Sequence, residues 1–258
     1  MSLAEGLALF GPGIAWASRT DISPATPFNV GLCNEFSVDA SFDTDELYGQ
    51  YQVPLLVGRT KMKVTGKISP ALLSGGAMST FLLGQSFTRG SQHDATTLTE
   101  EIPEAASYTV TPMVPSSGTF LSDLGVIDLE SNQAMQKAAS AAALTAGEYS
   151  VDESTGIYSF AAEDAGDSIS ISFSYSYTSS SSQTATWNNQ LLGTTPTFRL
   201  DYKTVFDGQT FYIRLFKCTA SKTSLGFKLD KFNLPEYDFS VMDNGAHQIG
   251  IISLQTLA

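Results

Sequence analysis

The sequence has 258 residues, of which 42% are hydrophobic and 16% are charged, and its formal net charge is −12. This length and apolar content allow one large core or two smaller ones, and they exclude a wholly disordered chain. Proteins that wrap nucleic acid or bind anionic membranes need clustered lysine and arginine, so the acidic balance argues against both classes.

An N-terminal arm is predicted over residues 1–26. Its first seventeen residues are apolar, but they contain Glu5 and Gly-Pro-Gly at 11–13 and lack the basic start of a signal peptide. No apolar run reaches the ~20 residues that a membrane-spanning helix needs, so no membrane contact is expected. An apolar arm needs a surface to pack against, and four of its side chains are candidate assembly contacts: Leu3, Leu7, Phe10 and Trp16.

Alternation of apolar and polar residues predicts strands over 36–42 and 61–69. In the second strand, Met62, Val64 and Ile68 point to one face. The opposite face carries three lysines, which must be solvated or meet acids on a neighbour. These lysines are further candidate assembly contacts: Lys61, Lys63 and Lys67.

A helix is predicted over residues 70–83. Ser69 is its expected N-cap, Pro70 suits the first helical position, and Gly84 is the expected stop. The polar, unpatterned residues 85–106 that follow predict a long loop. Loops of this length are usually functional or ordered by a partner, so Arg89 within it is also a candidate assembly contact.

An acidic, β-rich section is predicted at about 90–196, inserted in the main domain or elaborated from it. It carries thirteen acids and one base, Lys137, whereas the rest of the chain is neutral. The alanine-rich residues 132–144 fit a short helix or an extended crossing, and 178–186 fit a flexible hairpin tip or a boundary. Five strands are predicted in this section, at 108–114, 118–121, 149–151, 157–160 and 168–177.

The final third of the sequence is rich in strand signals. Residues 197–206 and 210–219, joined by Asp207-Gly208, predict a hairpin. Three more strands are predicted, at 225–229, 237–242 and 248–254. The residues alone therefore predict a mainly all-β fold with one or two helices.

Catalytic, cofactor and metal sites are not predicted, and the chain is not expected to be an enzyme. Only two histidines are present, His93 and His247, and no phosphate-binding loop or nucleophile motif occurs. Two cysteines are too few for a disulfide framework, so Cys33 and Cys218 are predicted to be isolated buried thiols.

Acidic clusters are the remaining candidates for chemistry. Residues 43–46 lack the glycine and distal glutamate of a calcium loop, and Glu163, Asp164 and Asp167 fit a solvated turn better than a site. An acidic chain offers many pairs of carboxylates, so a glycosidase that uses two carboxylates is not excluded. The sequence does not favour any particular pair as its catalytic residues.

Short segments in a particular order link the sequence to a known family. They are LYG at 47–49, GRTK at 58–61, GEYSV at 147–151, GIYSF at 156–160, LGTTPTF at 192–198, KLDKFNLPEYDF at 228–239, DNG at 243–245 and IGIISL at 249–254. This order of strand ends and turns resembles the major tail tube proteins of long-tailed bacteriophages. The resemblance covers most of the chain past residue 27.

The resemblance implies a β-sandwich or barrel-like domain over 27–258, with two packed antiparallel sheets, one flanking helix, and long loop and arm extensions. It implies a virion subunit, made in the host cytoplasm, that assembles into stacked rings, expected to be hexameric. Implied partners are copies of itself, the tape measure protein, and tail completion or terminator proteins. DNA is expected to cross the lumen without specific binding.

Two other functions remain open at this point. One is another virion or surface β-structural protein, such as a decoration protein or a fibre. The other is a carbohydrate-binding β-sandwich, which is disfavoured because most aromatic residues fall at alternating strand positions that predict a core.

Overall fold

The computed structural model describes residues 11–104 and 107–255. Among these residues strands dominate, in packed and mostly antiparallel sheets with one helical segment besides short 3-10 turns, so the predicted all-β fold is confirmed. The chain divides into two compact units. Of the described residues, 11–87 and 185–255 form the barrel unit, and 88–104 with 107–184 form the insert unit.

Fifteen strands follow one another along the described residues. The barrel unit contains β1 (Gly13–Arg19), β2 (Phe28–Leu47), β3 (Leu56–Pro70), β12 (Phe198–Phe206), β13 (Gln209–Ser224), β14 (Glu236–Val241) and β15 (Gly250–Gln255). The insert unit contains β4 (Thr88–Glu101), β5 (Thr109–Val110), β6 (Thr119–Asp128), β7 (Gln133–Ala134), β8 (Gln136–Lys137), β9 (Glu148–Asp152), β10 (Ile157–Phe160) and β11 (Ser168–Thr184).

Six strands of the barrel unit close a circle in the order β1, β2, β3, β14, β13, β12. All six pairings, including the closing pair of β12 with β1, are antiparallel. The long strand β13 pairs with β14 through Cys218–Ser224 and with β15 through Thr210–Leu215. Strand β15 is therefore an addition to the closed circle, beside one half of β13.

The barrel encloses an apolar core. Fully buried side chains include Phe198, Leu200, Tyr237 and Phe239. The helical segment packs Phe81 against this core, with ring centroids 4.8 Å from Phe198 and 4.9 Å from Tyr237. The two cysteines are buried free thiols in the same core, as predicted.

The insert unit is a sandwich of two four-stranded sheets, ordered β4-β11-β6-β7 and β5-β10-β9-β8. The predicted alternation of β11 is confirmed, because Ile169, Ile171 and Phe173 are fully buried between serines. Tyr149 and Tyr158 pack into the same core from the other sheet. Residues 132–144 are extended, with one 3-10 turn at Ala141–Ala143, which fits the crossing rather than a helix.

The predicted helix begins later than expected. Ser69 and Pro70 complete β3, where Ser69 Oγ donates to the Pro235 carbonyl at 3.1 Å. The helical segment runs instead over Gly75–Ala77 and, as a π-helix, over Met78–Leu83. Its N-cap is Ser74, and the predicted stop at Gly84 is confirmed by its φ of 63°.

Three other predictions were wrong. The expected loop at 85–106 contains strand β4, which pairs along its length with β11, so backbone pairing stabilises it without an apolar alternation. Residues 225–229 form a loop, in which the Lys228 amide donates to Asn233 Oδ1 at 2.7 Å. The predicted arm does not extend to residue 26, because β1 is a barrel strand between β12 and β2 with Ala15 and Ala17 buried.

Candidate functional site: unpaired strands and exposed apolar surfaces

The three lysines of β3 have different environments. Lys67 Nζ lies 3.1 Å from Glu35 and 3.2 Å from Glu236, and hydrogen bonds to these two carboxylates raise the pKa of Lys67. Lys61 and Lys63 are exposed and lie opposite Asp43 and Ser41 on β2. Lys67 thus meets acids of its own chain, whereas the other two extend into solvent.

The other predicted contacts are scattered. Trp16 is half-buried on β1, opposite Asp201 of β12, and Arg89 is exposed near the start of β4. Leu3, Leu7 and Phe10 lie outside the described residues. Among the described residues, the three lysines share β3, whereas Trp16 lies on β1 of the same unit and Arg89 on β4 of the insert unit.

The β2–β3 hairpin extends past the barrel. Strand β14 pairs with β3 only through Thr65–Ile68, and β1 pairs with β2 only through residues 28–33. Beyond these pairings, within residues 11–104 and 107–255, the two strands have only each other as strand partners. The hairpin tip, defined as residues 47–57, has seven large apolar side chains that are each more than half exposed: Leu47, Tyr48, Tyr51, Val53, Leu55, Leu56 and Val57.

Acidic side chains stand at the base of the hairpin tip. Asp45 and Glu46 are exposed, and Glu46 accepts a hydrogen bond from the Tyr48 hydroxyl, which raises the pKa of Tyr48. The nearest cation on the opposite strand is Arg59, whose guanidinium lies 4.2 Å from the centre of the Phe42 ring. The tip itself contains no cation.

Strand β15 has an open edge in the part of the chain that the structure describes. Its only strand partner there is β13. The strand contains no charged residue and no proline, and Ile251, Ile252 and Leu254 are exposed. Natural proteins usually protect such edges with charges, prolines or bulges, so an apolar edge without them favours pairing with a strand of another molecule.

An apolar groove forms where β3 ends against the loop before β14. Its exposed side chains include Leu72, Leu73, Phe227 and Phe232, and Phe232 is 98% exposed. The larger of two adjoining hollows has a volume of about 470 Å³. We call this surface, formed by residues 71–73 and 225–235, the loop groove.

Buried carboxylates serve the cores of the two units. Burial raises the pKa of Asp201, but hydrogen bonds from Tyr212 and Arg214 outweigh it and hold that pKa below its usual value. Asp123 of the insert unit likewise accepts from Tyr149 at 2.8 Å and Tyr158 at 3.0 Å. Both carboxylates accept hydrogen bonds from side chains of their own chain, which indicates a structural role.

The acidic clusters considered for chemistry have structural contacts. Burial raises the pKa of Asp164, whose two oxygens accept from the Gly147 amide at 3.0 Å. Exposed His247 lies 3.4 Å from Asp243 in a turn. In residues 11–104 and 107–255, no three His, Cys, Asp or Glu side chains are grouped to hold a metal, and no helix is long and apolar enough to cross a membrane.

Sequence reasoning missed the hairpin tip, the β15 edge and the loop groove. A signal for each was present: the uncharged segment LYGQYQVPLLV at 47–57, rich in large apolar residues, the uncharged strand at 250–255, and the isolated aromatics Phe227 and Phe232. In the sequence, each of these apolar segments is equally compatible with burial in a core. Only the strand pairing in the structure shows that their side chains are exposed to solvent.

Comparison with protein-family models finds no family that matches the chain, and no curated protein matches it.

Proposed function

We propose that this chain is a structural subunit of a bacteriophage tail tube, self-assembling into stacked rings around a channel for DNA. The observation that carries the proposal is the open, uncharged apolar edge of β15. In a monomer this edge is a liability, because it presents unpaired backbone groups beside exposed Ile252 and Leu254. Pairing with a strand of another copy removes that liability.

A second open edge is available for such pairing. The outer edge of β3 over residues 56–64 has no strand partner among the described residues, and its side chains differ from those of β15. Pairing of two different edges gives a head-to-tail contact, which closes into a ring when the rotation per subunit closes. A ring of six follows from the family resemblance.

The charge of the chain fits a channel that DNA crosses. A net charge of −12 repels a polyanion, which favours passage without specific binding. Tape measure and tail completion or terminator proteins are partners that the family resemblance suggests, and assembly places the chain in the virion tail.

Charges on the β15 edge test this function. The double substitution Ile252→Lys and Leu254→Lys places two cations at exposed positions, so the fold is expected to persist while association weakens at least tenfold. Met113→Lys, at a position 80% exposed in the insert unit, is the control and is expected to associate normally. Sedimentation velocity over a concentration series measures both, and unchanged association of the double variant contradicts the proposed edge.

A further inference from the structure

We propose that two free copies of the chain pair through the outer edges of their β4 strands, in an antiparallel contact with twofold symmetry. The inference goes beyond the proposed function, because it concerns the insert unit and does not use the β15 edge. Three observations carry it: the regularity of the β4 edge, the protection of the other edges of the insert unit, and the order of charges along β4.

The outer edge of β4 is long and regular. Strand β11 pairs with β4 on one side, and no strand covers the other side in the part of the chain that the structure describes. The pairing has no register shift along β4 over residues 90–101, which contain no proline and no lysine. This stretch therefore lacks the bulges, prolines and lysines that usually block an edge.

The open edge presents backbone amides at alternate residues. Directly after β4, the Ile102 amide donates to the Asp167 carbonyl on the β11 side at 3.0 Å. Because amides alternate along an antiparallel strand, those of the odd-numbered residues of β4 point to the open edge. The Ala95 amide agrees with this, since its acceptor is the Asp94 carboxylate at 2.8 Å. A second strand replaces that local bond when it pairs.

The other edges of the insert unit are protected. Strands β5, β7 and β8, which end its sheets, are each two residues long. Strand β6 has two register shifts against β11, and its Asp123 points into the core, where it accepts from Tyr149 and Tyr158. Short strands, bulges and inward charges usually prevent edge pairing. Among the described strands that end a sheet of this unit, β4 alone is long.

The charges along β4 select the direction of pairing. Its one cation at neutral pH is Arg89 near one end, and Glu100 and Glu101 stand at the other end. A parallel pair in register places every charge opposite its own copy, which is destabilising. An antiparallel pair centred on Ala95 places Arg89 of each copy opposite Glu101 of the other. A second copy of the chain therefore complements this edge.

The same charges select the register. A pair centred on Asp94 places the two Asp94 carboxylates opposite each other, and a pair centred on Thr96 leaves Arg89 without an acid opposite it. In the pair centred on Ala95, Asp94 lies opposite Thr96, a residue with a hydroxyl donor. No like charges are then opposite each other along the strand.

The remaining charges of the insert unit also favour the antiparallel direction. The unit has thirteen acids and two bases, and several acids surround the Glu101 end of β4: Glu104, Asp128, Glu163 and Asp167. Twelve residues separate Arg89 from Glu101, so the antiparallel pair holds the two acidic ends about 40 Å apart, at roughly 3.3 Å per residue. This separation exceeds the Debye length of ~8 Å at physiological ionic strength.

The twofold symmetry of the contact limits it to two chains. An isologous contact uses the same surface on both copies, so it stops at a dimer. Neighbours in a ring are related by rotation in one direction and meet through two different surfaces. The β4 pair therefore joins chains that are not neighbours in a ring.

A single cysteine on the symmetry axis tests the pair. Ala95 lies on that axis, where opposed Cα atoms are about 5.5 Å apart, a distance that a disulfide spans. The chain tested carries Ile252→Lys and Leu254→Lys, which remove association through β15, and its native thiols are buried. Under mild oxidation, Ala95→Cys is expected to give a covalent dimer on a denaturing gel. Thr99→Cys, whose two copies lie about eight residues apart in this register, is the control and is expected to remain a monomer.

A charge exchange in the same chain tests the register. Arg89→Glu and Glu101→Arg are each expected to weaken dimerisation at least tenfold, because each change acts at both ends of the pair. The two together are expected to restore the dimer to within about threefold. Glu104→Arg, the same charge change just outside β4, is the control and is expected to leave dimerisation within about threefold. Sedimentation equilibrium measures the dissociation constants.

A backbone substitution covers the case in which the charges contribute little. Thr97→Pro removes an amide that points to the open edge and is expected to abolish the dimer without changing the melting temperature much. Thr97→Ala keeps the amide and is expected to keep the dimer. A chain that stays monomeric in the β15 variant, or a dimer that survives Thr97→Pro, overturns the β4 pair.

The outcomes separate this inference from the proposed function. Thr97→Pro in a chain with an intact β15 is expected to form rings and tubes normally. Rings and tubes without any β4 dimer overturn the inference and leave the proposed function standing. A β4 dimer in a chain that forms neither rings nor tubes supports the inference and overturns the proposed function.

Discussion

Leu47 and Leu56 form the last backbone pair of the β2–β3 hairpin, and both side chains are more than half exposed. A hairpin that ends in apolar residues, far from the barrel core, contributes little to the stability of a monomer. In the proposed assembly another copy of the chain would cover these residues. The exposed hairpin end therefore supports the proposal of self-assembly.

Charge reversal of a lysine on β3 is expected to lower the thermal stability of the barrel unit only where that lysine contacts acidic side chains. Lys67→Glu places a third acid beside Glu35 and Glu236, so we expect the barrel unit to unfold at a lower temperature. Lys63→Glu, at an exposed site opposite Ser41, is expected to leave the melting temperature nearly unchanged. Thermal melting followed by tryptophan fluorescence measures this, because Trp16 and Trp187 both belong to the barrel unit. Equal melting temperatures for the two variants contradict it.

Strand positions could largely be predicted because alternation is a local signal. The hairpin of β12 and β13, the strand β10 and the buried face of β11 were all visible in the sequence. Strand β4 was missed because its partner residues in β11 lie between 67 (Glu101 to Ser168) and 96 (Thr88 to Thr184) positions away and the pairing is made by backbone atoms. An alternating sequence pattern indicates which side chains are buried, but it does not indicate which distant strand the backbone pairs with.

The candidate site was harder to predict than the fold. Apolar side chains such as Val53 and Phe232 suit a core as well as a surface, and composition does not separate the two cases. Lys67 fulfils one of the two alternatives that the strand pattern left open, because it meets Glu35 and Glu236 of the neighbouring strands. The pattern alone did not indicate which of the three lysines would do so.

Removing the charge of Asp123 is expected to destabilise the insert unit alone. Asp123→Asn weakens the acceptor for Tyr149, Tyr158 and Lys137, at a cost of about 1–3 kcal/mol at pH 7. Glu153→Gln, which also contacts Lys137 but at an exposed site, is expected to change stability by about 0.5 kcal/mol or less. Urea unfolding followed by far-ultraviolet circular dichroism should shift, while the tryptophan transition of the barrel unit should not.

The pH dependence of that difference has a definite sign. Hydrogen bonds hold the pKa of folded Asp123 below its ordinary value of 3.8, although burial opposes them. The carboxylate therefore contributes stability above pH 3.8, and the contribution is lost as the pH falls through the lower, folded pKa. The stability difference between the natural chain and Asp123→Asn should be constant above pH 3.8 and shrink as the pH falls below it, and a difference that grows with falling pH contradicts the assignment.

Gly84 is expected to tolerate no side chain. Its φ is 63°, and a Cβ atom there would lie 2.4 Å from Pro196 Cγ. Gly84→Ala is therefore expected to cost about 1–3 kcal/mol, through backbone strain and the displaced proline. Gly226→Ala, where a Cβ atom meets nothing within 4 Å, is the control. Urea unfolding of the barrel unit compares the two, and equal stabilities would be inconsistent with the packing around Pro196.

The two thiols are expected to be unreactive in the folded chain. Burial raises the pKa of Cys33 to about 11 and that of Cys218 to about 12, which leaves almost no thiolate at pH 8. An aromatic disulfide reagent should therefore label neither thiol within minutes in buffer and both in urea. Rapid labelling of either thiol in buffer would show that the barrel core opens readily.

Electron microscopy of the concentrated, purified chain tests self-assembly itself. We expect negative-stain images to contain rings and hollow tubes with a central pore, and to lose both when Ile252 and Leu254 are replaced by lysine. Particles that remain single at every concentration, even with other tail components present, would contradict assembly of this chain into a tube.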